Sequence, residues 1–361
     1  MRFSVLPISV VVCCAVVASR SLSWAIANDA DQCLNGSADE RIAACTRAID
    51  SGRLQGNELA AAYGNRGAAY KDKGDSSRAI ADLNDAIRLD PHDAEAYRNR
   101  GIAHRLNGDL DRAIENHTEA IRIDPNFARA YNARGFAYRY KGDIDRAIAD
   151  FDEAIRLDPK YVFAYNNRCW AYGDRGESER ALADCNMAIQ LDPKYAMAYL
   201  NRGLTYADIG DDDRAIADFD EAIRLDPKFA DAYANRGLTY SDKGDYERAI
   251  ADFDEAIQID PTSPGAYLGR GGTYYAKADY DRAFADFDEA IRLDANLGLA
   301  YLFRGLAKLE KGDDAGGNAD IAKAKELDPN VDTLFTNVDT LFTRPARKNN
   351  EDMTRMPVRR Q

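Results

Sequence analysis

The sequence predicts an all-α chain, a solenoid of stacked antiparallel helix pairs. Three observations lead there. The tripeptide LDP or IDP ends at Pro91, Pro125, Pro159, Pro193, Pro227 and Pro261, lapses at Ala295 and returns at Pro329, so every step is 34 residues. A strict period of that length marks a solenoid, whose units bury their apolar faces only by stacking on one another. When each unit is numbered 1 to 34 with proline at 32, small residues recur. Position 8 is glycine except at Cys169, position 20 is alanine except at Gly317, and position 27 is alanine from Ala86 to Ala324. Finally, positions 4, 7, 8 and 11 share one face of a helix at about 100° per residue, and 20, 24, 27 and 28 share one face of a second.

Taken in chain order, residues 1–27 read as a secretory signal peptide. Arg2 precedes the apolar run LPISVVVCCAVVA, and Ala25 and Ala27 form an A-x-A site before Asn28. The run is too short to span a bilayer as a helix. The alternative is an uncleaved anchor. A lipoprotein signal is excluded because Val12, not a small residue, precedes Cys13. With the signal removed there is no membrane span, and the chain is exported, to a bacterial periplasm or beyond. Residues 28–59 form an amino-terminal cap. Within them RIAACTRAIDSGRL reads as a second helix with Cys45, Ala48 and Ile49 at positions 24, 27 and 28.

Residues 60–331 hold eight units. Glycine at 15 and aspartate at 16 break the chain between the two helices and cap the second. Proline at 32 stands past the second helix, where it cannot continue it. Residues 332–343 form a short capping segment in which NVDTLFT, first seen at 330–336, is repeated. Nothing in the sequence explains the second copy. Residues 344–361 carry six basic and two acidic side chains and read as a disordered basic tail.

Position 4 is always tyrosine, from Tyr63 to Tyr301, and position 24 is mostly Phe or Leu. With Gly at 8, Ala at 20 and 27 and Pro at 32, the pattern resembles the tetratricopeptide repeat over all eight units. One departure is systematic: arginine stands at position 7, where the family has leucine. The resemblance implies a right-handed superhelix with a concave groove, lined by the first helices, in which peptides bind.

Net charge is -13, of which the tail contributes +4 and the rest of the chain -17. A body this acidic argues against a general nucleic-acid binder, which needs Lys and Arg to displace counterions. There is no Gly-rich phosphate loop, no G-x-S-x-G elbow and no metal-type His spacing. His104 and His117 stand at positions 11 and 24, as core substitutes for Tyr and Phe. No catalysis and no cofactor are expected.

Four cysteines remain after the signal. Cys33 and Cys45 would pin the amino-terminal segment to the cap. Cys169 and Cys185 face each other at positions 8 and 24. An even number in an exported chain suggests bridges, with separate core thiols as the alternative. The position 7 arginines have a partner column at position 23, aspartate in every unit except at Asn116. Either the two columns pair inside each unit, or the arginines read the carboxylates of a ligand.

On the groove side, positions 2, 5, 9 and 12 carry the variation that a site needs. Lys71, Arg98, Arg105, Arg129 and Arg139 cluster in the early units beside Phe136, Tyr140, Phe163 and Trp170. The later units give Met197, Leu200, Leu204, Leu238, Leu268, Leu299, Leu302 and Leu306. Asparagine recurs at position 6 as Asn65, Asn99, Asn167, Asn201 and Asn235. Those amides either pair with a bound backbone or are used up locally. The carboxylate clamp of chaperone-binding family members, Lys at 5 and Asn at 9, is not matched. The sequence therefore points to a non-enzymatic scaffold for peptide segments, acidic and with an apolar anchor. The rival readings are a self-associating structural solenoid and a regulatory subunit of an envelope polysaccharide or secretion complex.

Overall fold

The computed structural model describes residues 31–329 and 331, and every regular element among them is an α-helix. The signal peptide, the capping segment 332–343 and the basic tail lie outside the described residues. After a helical stretch at 31–35 comes α1 (Ala38–Asp50). Eight pairs follow in the 34-residue frame. They are α2 (Gly56–Asp72) with α3 (Ser76–Leu89), α4 (Ala94–Leu106) with α5 (Leu110–Ile123), α6 (Ala128–Tyr140) with α7 (Ile144–Leu157), and α8 (Val162–Asp174) with α9 (Ser178–Leu191). Then come α10 (Ala196–Asp208) with α11 (Asp212–Leu225), α12 (Ala230–Asp242) with α13 (Tyr246–Ile259), α14 (Pro264–Ala276) with α15 (Tyr280–Leu293), and α16 (Gly298–Glu310) with α17 (Asp314–Leu327). The chain divides into two compact units at Tyr161 and Val162. Unit 1 holds the cap and repeats 1–3. Unit 2 holds repeats 4–8.

The turn chemistry is as the sequence predicts. The side chains of Asp75, Asp109, Asp143, Asp211, Asp245, Asp279 and Asp313 each accept a hydrogen bond from the backbone N–H of position 19 and so cap the second helices. Glu177, the substitute in repeat 4, makes no such bond. Position 15 is left-handed throughout, for example Gly244 at φ 78°. Repeat 7 puts Ala278 there at φ 57°, the one non-glycine with positive φ among the described residues.

Within each unit, the first helix of a repeat packs on its own second helix, and each second helix packs on the next repeat's first. First helices also touch the first helices of neighbouring repeats, and second helices do not match this. The stack must therefore bend with first helices inside, which gives each unit an inner face built from α2, α4 and α6, or from α8, α10, α12, α14 and α16. The packing corrects one expectation. Leu200, Leu268 and Leu302, at position 5, do not line the inner face. They are buried in the core, Leu200 with Phe219 and Ala232, Leu268 with Phe287 and Ala300, and Leu302 with Ala324 and Val331.

Inside a repeat, the ring at position 24 lies against the bare backbone of position 8. A Cβ on Gly203 would sit 2.7 Å from the Phe219 ring, and one on Gly271 2.7 Å from Phe287, both rings being fully buried. Repeat 4 fills the same space differently. Cys169 and Cys185 occupy the glycine and phenylalanine places and form a disulfide that is wholly buried. Closing a loop of that size contributes about 3 kcal/mol. A second disulfide joins Cys33 to Cys45 and holds the 31–35 stretch against α1. Both expected bridges are present.

The position 7 arginines resolve into a ladder. Arg66 donates through Nε and Nη2 to Asp82 at 2.7 and 2.8 Å, and Arg236 does the same to Asp252 at 2.8 and 2.6 Å. Arg134, Arg168, Arg202, Arg270 and Arg304 repeat the two-pronged geometry on Asp150, Asp184, Asp218, Asp286 and Asp320. A further contact runs backwards. Nη1 reaches position 25 of the preceding repeat: Arg202 to Asn186, Arg236 to Asp220, Arg270 to Asp254 and Arg304 to Asp288, at 2.5–2.7 Å. Each of these arginines ties together its own two helices and the repeat before it. Two-pronged bonds of this kind satisfy a half-buried guanidinium without leaving either charge stranded.

Candidate interaction surface

The inner face of unit 1 gathers the early basic candidates. Lys71 comes from α2, Arg98 and Arg105 from α4, and Arg129, Phe136 and Arg139 from α6. Positions 5 and 12 are seven residues apart, so Arg98 and Arg105 stand on one side of α4 two turns from each other. The Arg105 guanidinium lies over the Phe136 ring, 4.9 Å from its centroid. Phe136 packs on Tyr140 at 4.9 Å, and Arg139 lies 6.0 Å from the Tyr140 centroid. Tyr140 is exposed. Further along, Arg98 and Arg129 flank Phe127 at 6.0 and 5.5 Å. Cations against ring faces are held by the ring quadrupole while they keep an edge open to a ligand.

The cations differ in what neutralises them. Arg98 donates to both oxygens of Glu95, at 3.2 and 2.6 Å, and to Asn99 Oδ1 at 3.1 Å. Burial pushes the Glu95 carboxyl up, but the Arg98 hydrogen bonds and the charges of Arg98, Arg129 and Lys71 outweigh it and hold the group below its usual range. Lys71 donates to Asn99 Oδ1 at 3.2 Å and lies 3.1 Å from Asp72. Arg105 is otherwise placed. It is half-buried, burial draws its pKa down, and among the described residues it has neither a carboxylate partner nor a hydrogen-bond acceptor. A depression of about 420 Å³ bounded by His92, Asp93, Glu95, Asp124, Phe127 and Arg129 adjoins this face, and its acidic lining ends the basic surface on that side.

Three of the five asparagine candidates make hydrogen bonds within the protein, although the Oδ1 of Asn201 is buried without a partner. Asn99 is buried and its amide oxygen takes Lys71 and Arg98. Asn201, in unit 2, is 3% exposed and donates to Asn166 Oδ1 at 2.9 Å. Asn235 donates to the Asp231 carbonyl at 2.7 Å. For these three the local reading holds. Asn167 and Trp170 are half-buried side chains of α8 in unit 2. His104 and His117 are core groups. His117 fills the position 24 slot, fully buried, with no hydrogen-bond partner on either nitrogen. Burial, with the nearby charges of Arg98, Arg105 and Arg134, pushes its pKa down to about 3, so it is a neutral ring.

Sequence reasoning missed the position 25 acceptors of the ladder and the isolation of Arg105. The first had a signal, since Asp, Asn or Thr recurs at position 25. The second had none, because it depends on which acids come near.

Family comparisons cover most of the repeat region. Models of the tetratricopeptide repeat match residues 128–161, 162–195 and 230–263, residues 65–128, and residues 264–297, and a TPR repeat model matches 205–244. The chain belongs to the tetratricopeptide repeat family. Among curated proteins no sequence matches it. Among solved structures, it is similar to a tetratricopeptide repeat protein from Parabacteroides merdae (24% identity, 67% of this chain and 96% of that one, TM-score 0.54). It is also similar to the Cut9–Hcn1 hetero-tetramer of the APC/C, at 19% identity and TM-score 0.63, with 75% of this chain matched to 53% of that one. YrrB, a TPR protein with an unusual peptide-binding site, is 27% identical over 51% of this chain and 95% of that one, with TM-score 0.39. Tetratricopeptide repeat proteins are in general non-enzymatic scaffolds for protein–protein interaction, and this chain has their fold. The two disulfides indicate an oxidising, non-cytoplasmic environment. Among the described residues no helix is long and apolar enough to cross a membrane, and no group of His, Cys, Asp and Glu could hold a metal ion.

Proposed function

We propose that this tetratricopeptide repeat protein is an exported interaction scaffold, and that the inner face of repeats 2 and 3 binds an acidic protein segment with an apolar anchor. Arg105 carries the reading. A half-buried guanidinium with no counter-ion, laid on an aromatic ring, gains most from a ligand carboxylate. Phe136 and Tyr140 beside it offer the surface for an apolar or aromatic side chain. Arg129 and Arg139 extend the positive field along the same helix. Residues 344–361 carry the same sign as this face, so charge argues against the chain's own tail as the occupant.

The test places a photo-crosslinking residue at Tyr140 in the exported full-length protein and identifies what it captures. Arg105→Ala with Arg139→Ala should weaken binding of the captured partner by about tenfold at low salt and flatten its salt dependence. Melting should stay nearly unchanged, since neither side chain supports the core. Capture and affinity that survive the double substitution at low salt would remove the reading.

A further inference from the structure

Arg100 occupies the same rung as seven arginines that each bind an aspartate, yet both of its acceptors are neutral amides. Asn116 Oδ1 takes Nε at 2.7 Å and Asn84 Oδ1 takes Nη1 at 2.7 Å. The other head atom of Asn116 is itself a donor, committed to the Arg112 carbonyl at 2.7 Å, so it cannot accept from Nη2. Among the described residues Nη2 has no acceptor. In the seven other repeats that nitrogen donates to the position 23 carboxylate.

Arg100 is half-buried, Nη1 gives one N–H to Asn84, and the unpartnered Nη2 is not among the atoms sealed from solvent. Its neighbours do not cancel the charge. Tyr97 lies under the guanidinium at 5.2 Å. His104 is buried and neutral, and its pKa is drawn down by burial against the pull of Asp109. Asp109 is itself paired with Arg112 at 3.4 Å. The rung is a built site for a carboxylate with the carboxylate removed.

We propose that Arg100 binds an external carboxylate, the side chain of an Asp or Glu on a protein partner that docks along this edge of repeat 2. Such a group would take Nη2 and the second N–H of Nη1 end-on, whereas the other rungs hold their own aspartate side-on through Nε and Nη2. Arg100 follows Arg98 by two residues, about 200° round α4, so it lies on the other side of the helix from Arg98 and Arg105. It is a separate contact and does not depend on the inner face being a peptide site.

The experiment uses the full-length chain and follows the Arg100 Nε–Hε resonance, assigned by its loss in Arg100→Lys. Sodium acetate should shift the signal saturably, and sodium chloride at equal ionic strength should not. Asn116→Asp restores the aspartate of the other repeats and supplies the carboxylate from within. It should weaken acetate binding at Arg100 by about tenfold or more while raising the melting temperature. An acetylated, amidated peptide with one central Glu should compete with acetate. No saturable shift in the parent, an equal shift in Asn116→Asp, or an equal effect of chloride would each overturn the site. Competition only by a peptide with a free carboxy-terminus would overturn the side-chain assignment.

Discussion

In repeat 6, Arg236 is held between Asp252 and Asp220, and Phe253 fills the space beside Gly237. In repeat 2 the corresponding places hold Asn116, Asn84 and His117. The backbone frame is the same, but its electrostatics are inverted. Hydrogen bonds to Asp252 outweigh burial and push the Arg236 guanidinium up, whereas burial draws the Arg100 guanidinium down. In repeat 6 the ladder arginine is neutralised by Asp252 of its own repeat and Asp220 of the one before. Repeat 2 leaves two cations, Arg100 and Arg105, without a carboxylate among the described residues. Unlike repeats at equal register therefore show which positions hold the stack together and which are left open for something outside it.

The comparison breaks most visibly at the ladder. Arg236→Leu strands two aspartates, one of them buried, and should cost about 3 kcal/mol in urea unfolding. Arg100→Leu loses only two bonds to neutral amides and should cost about 1 kcal/mol. Adding Asp252→Ala to Arg236→Leu should recover part of the loss. Simple additivity would show that the two residues are not coupled.

A smaller effect comes from His117. Its pKa is about 3 in the folded chain and about 6.5 when unfolded, so only the unfolded chain takes up the proton between these values. Stability from this group is full above about pH 6.5 and falls by about 1.4 kcal/mol per pH unit below it, levelling off near pH 3. Between pH 7.5 and 5.0 the parent should therefore lose about 2 kcal/mol more than His117→Phe, which gives repeat 2 the ring of repeat 6. Parallel losses would mean that the imidazole reaches water. The smallest change sharpens the frame itself. Ala278→Gly replaces the alanine held at φ 57° with the residue of the other turns and should raise stability by about 1 kcal/mol, read as a shift in the urea midpoint.

Much of this was legible in the 34-residue period. The helix pairs, the aspartate caps, the Arg–Asp columns and the facing places of Cys169 and Cys185 follow from residue types at fixed offsets, because each depends on contacts inside one repeat. What the sequence hid lies between repeats. Asp220 and Asp254 look like solvated residues until the next repeat brings an arginine to them. Leu200 and Leu302 sit at helical phases that point to the inner face, and elements beyond their own helix bury them, Phe219 and Ala232 on Leu200 and Ala324 and Val331 on Leu302. For Asn99 and Asn201 the sequence left open whether a ligand or the protein takes the amides, and neighbouring side chains bond to both. For the candidate surface, the sequence gathered the cations, but which of them lacks a counter-ion depends on where Glu95 and Asp72 fall.

The backward reach of each ladder arginine also bears on how such a chain can change its length. Arg270 takes Asp254 from the repeat before it, and excision of residues 230–263 would bring Asp220 to the same place, the same residue type in the same frame. Unequal recombination between copies, in whole steps of the period, therefore leaves no mismatched seam in the regular part of the chain. Lineages can lengthen or shorten it without inventing a new interface. Not every copy is equivalent in this respect. Duplicating repeat 6 would add span alone, whereas duplicating repeat 2 would bring a second arginine with only neutral acceptors, the amide of its own repeat and the hydroxyl of Thr118 in the copy before it.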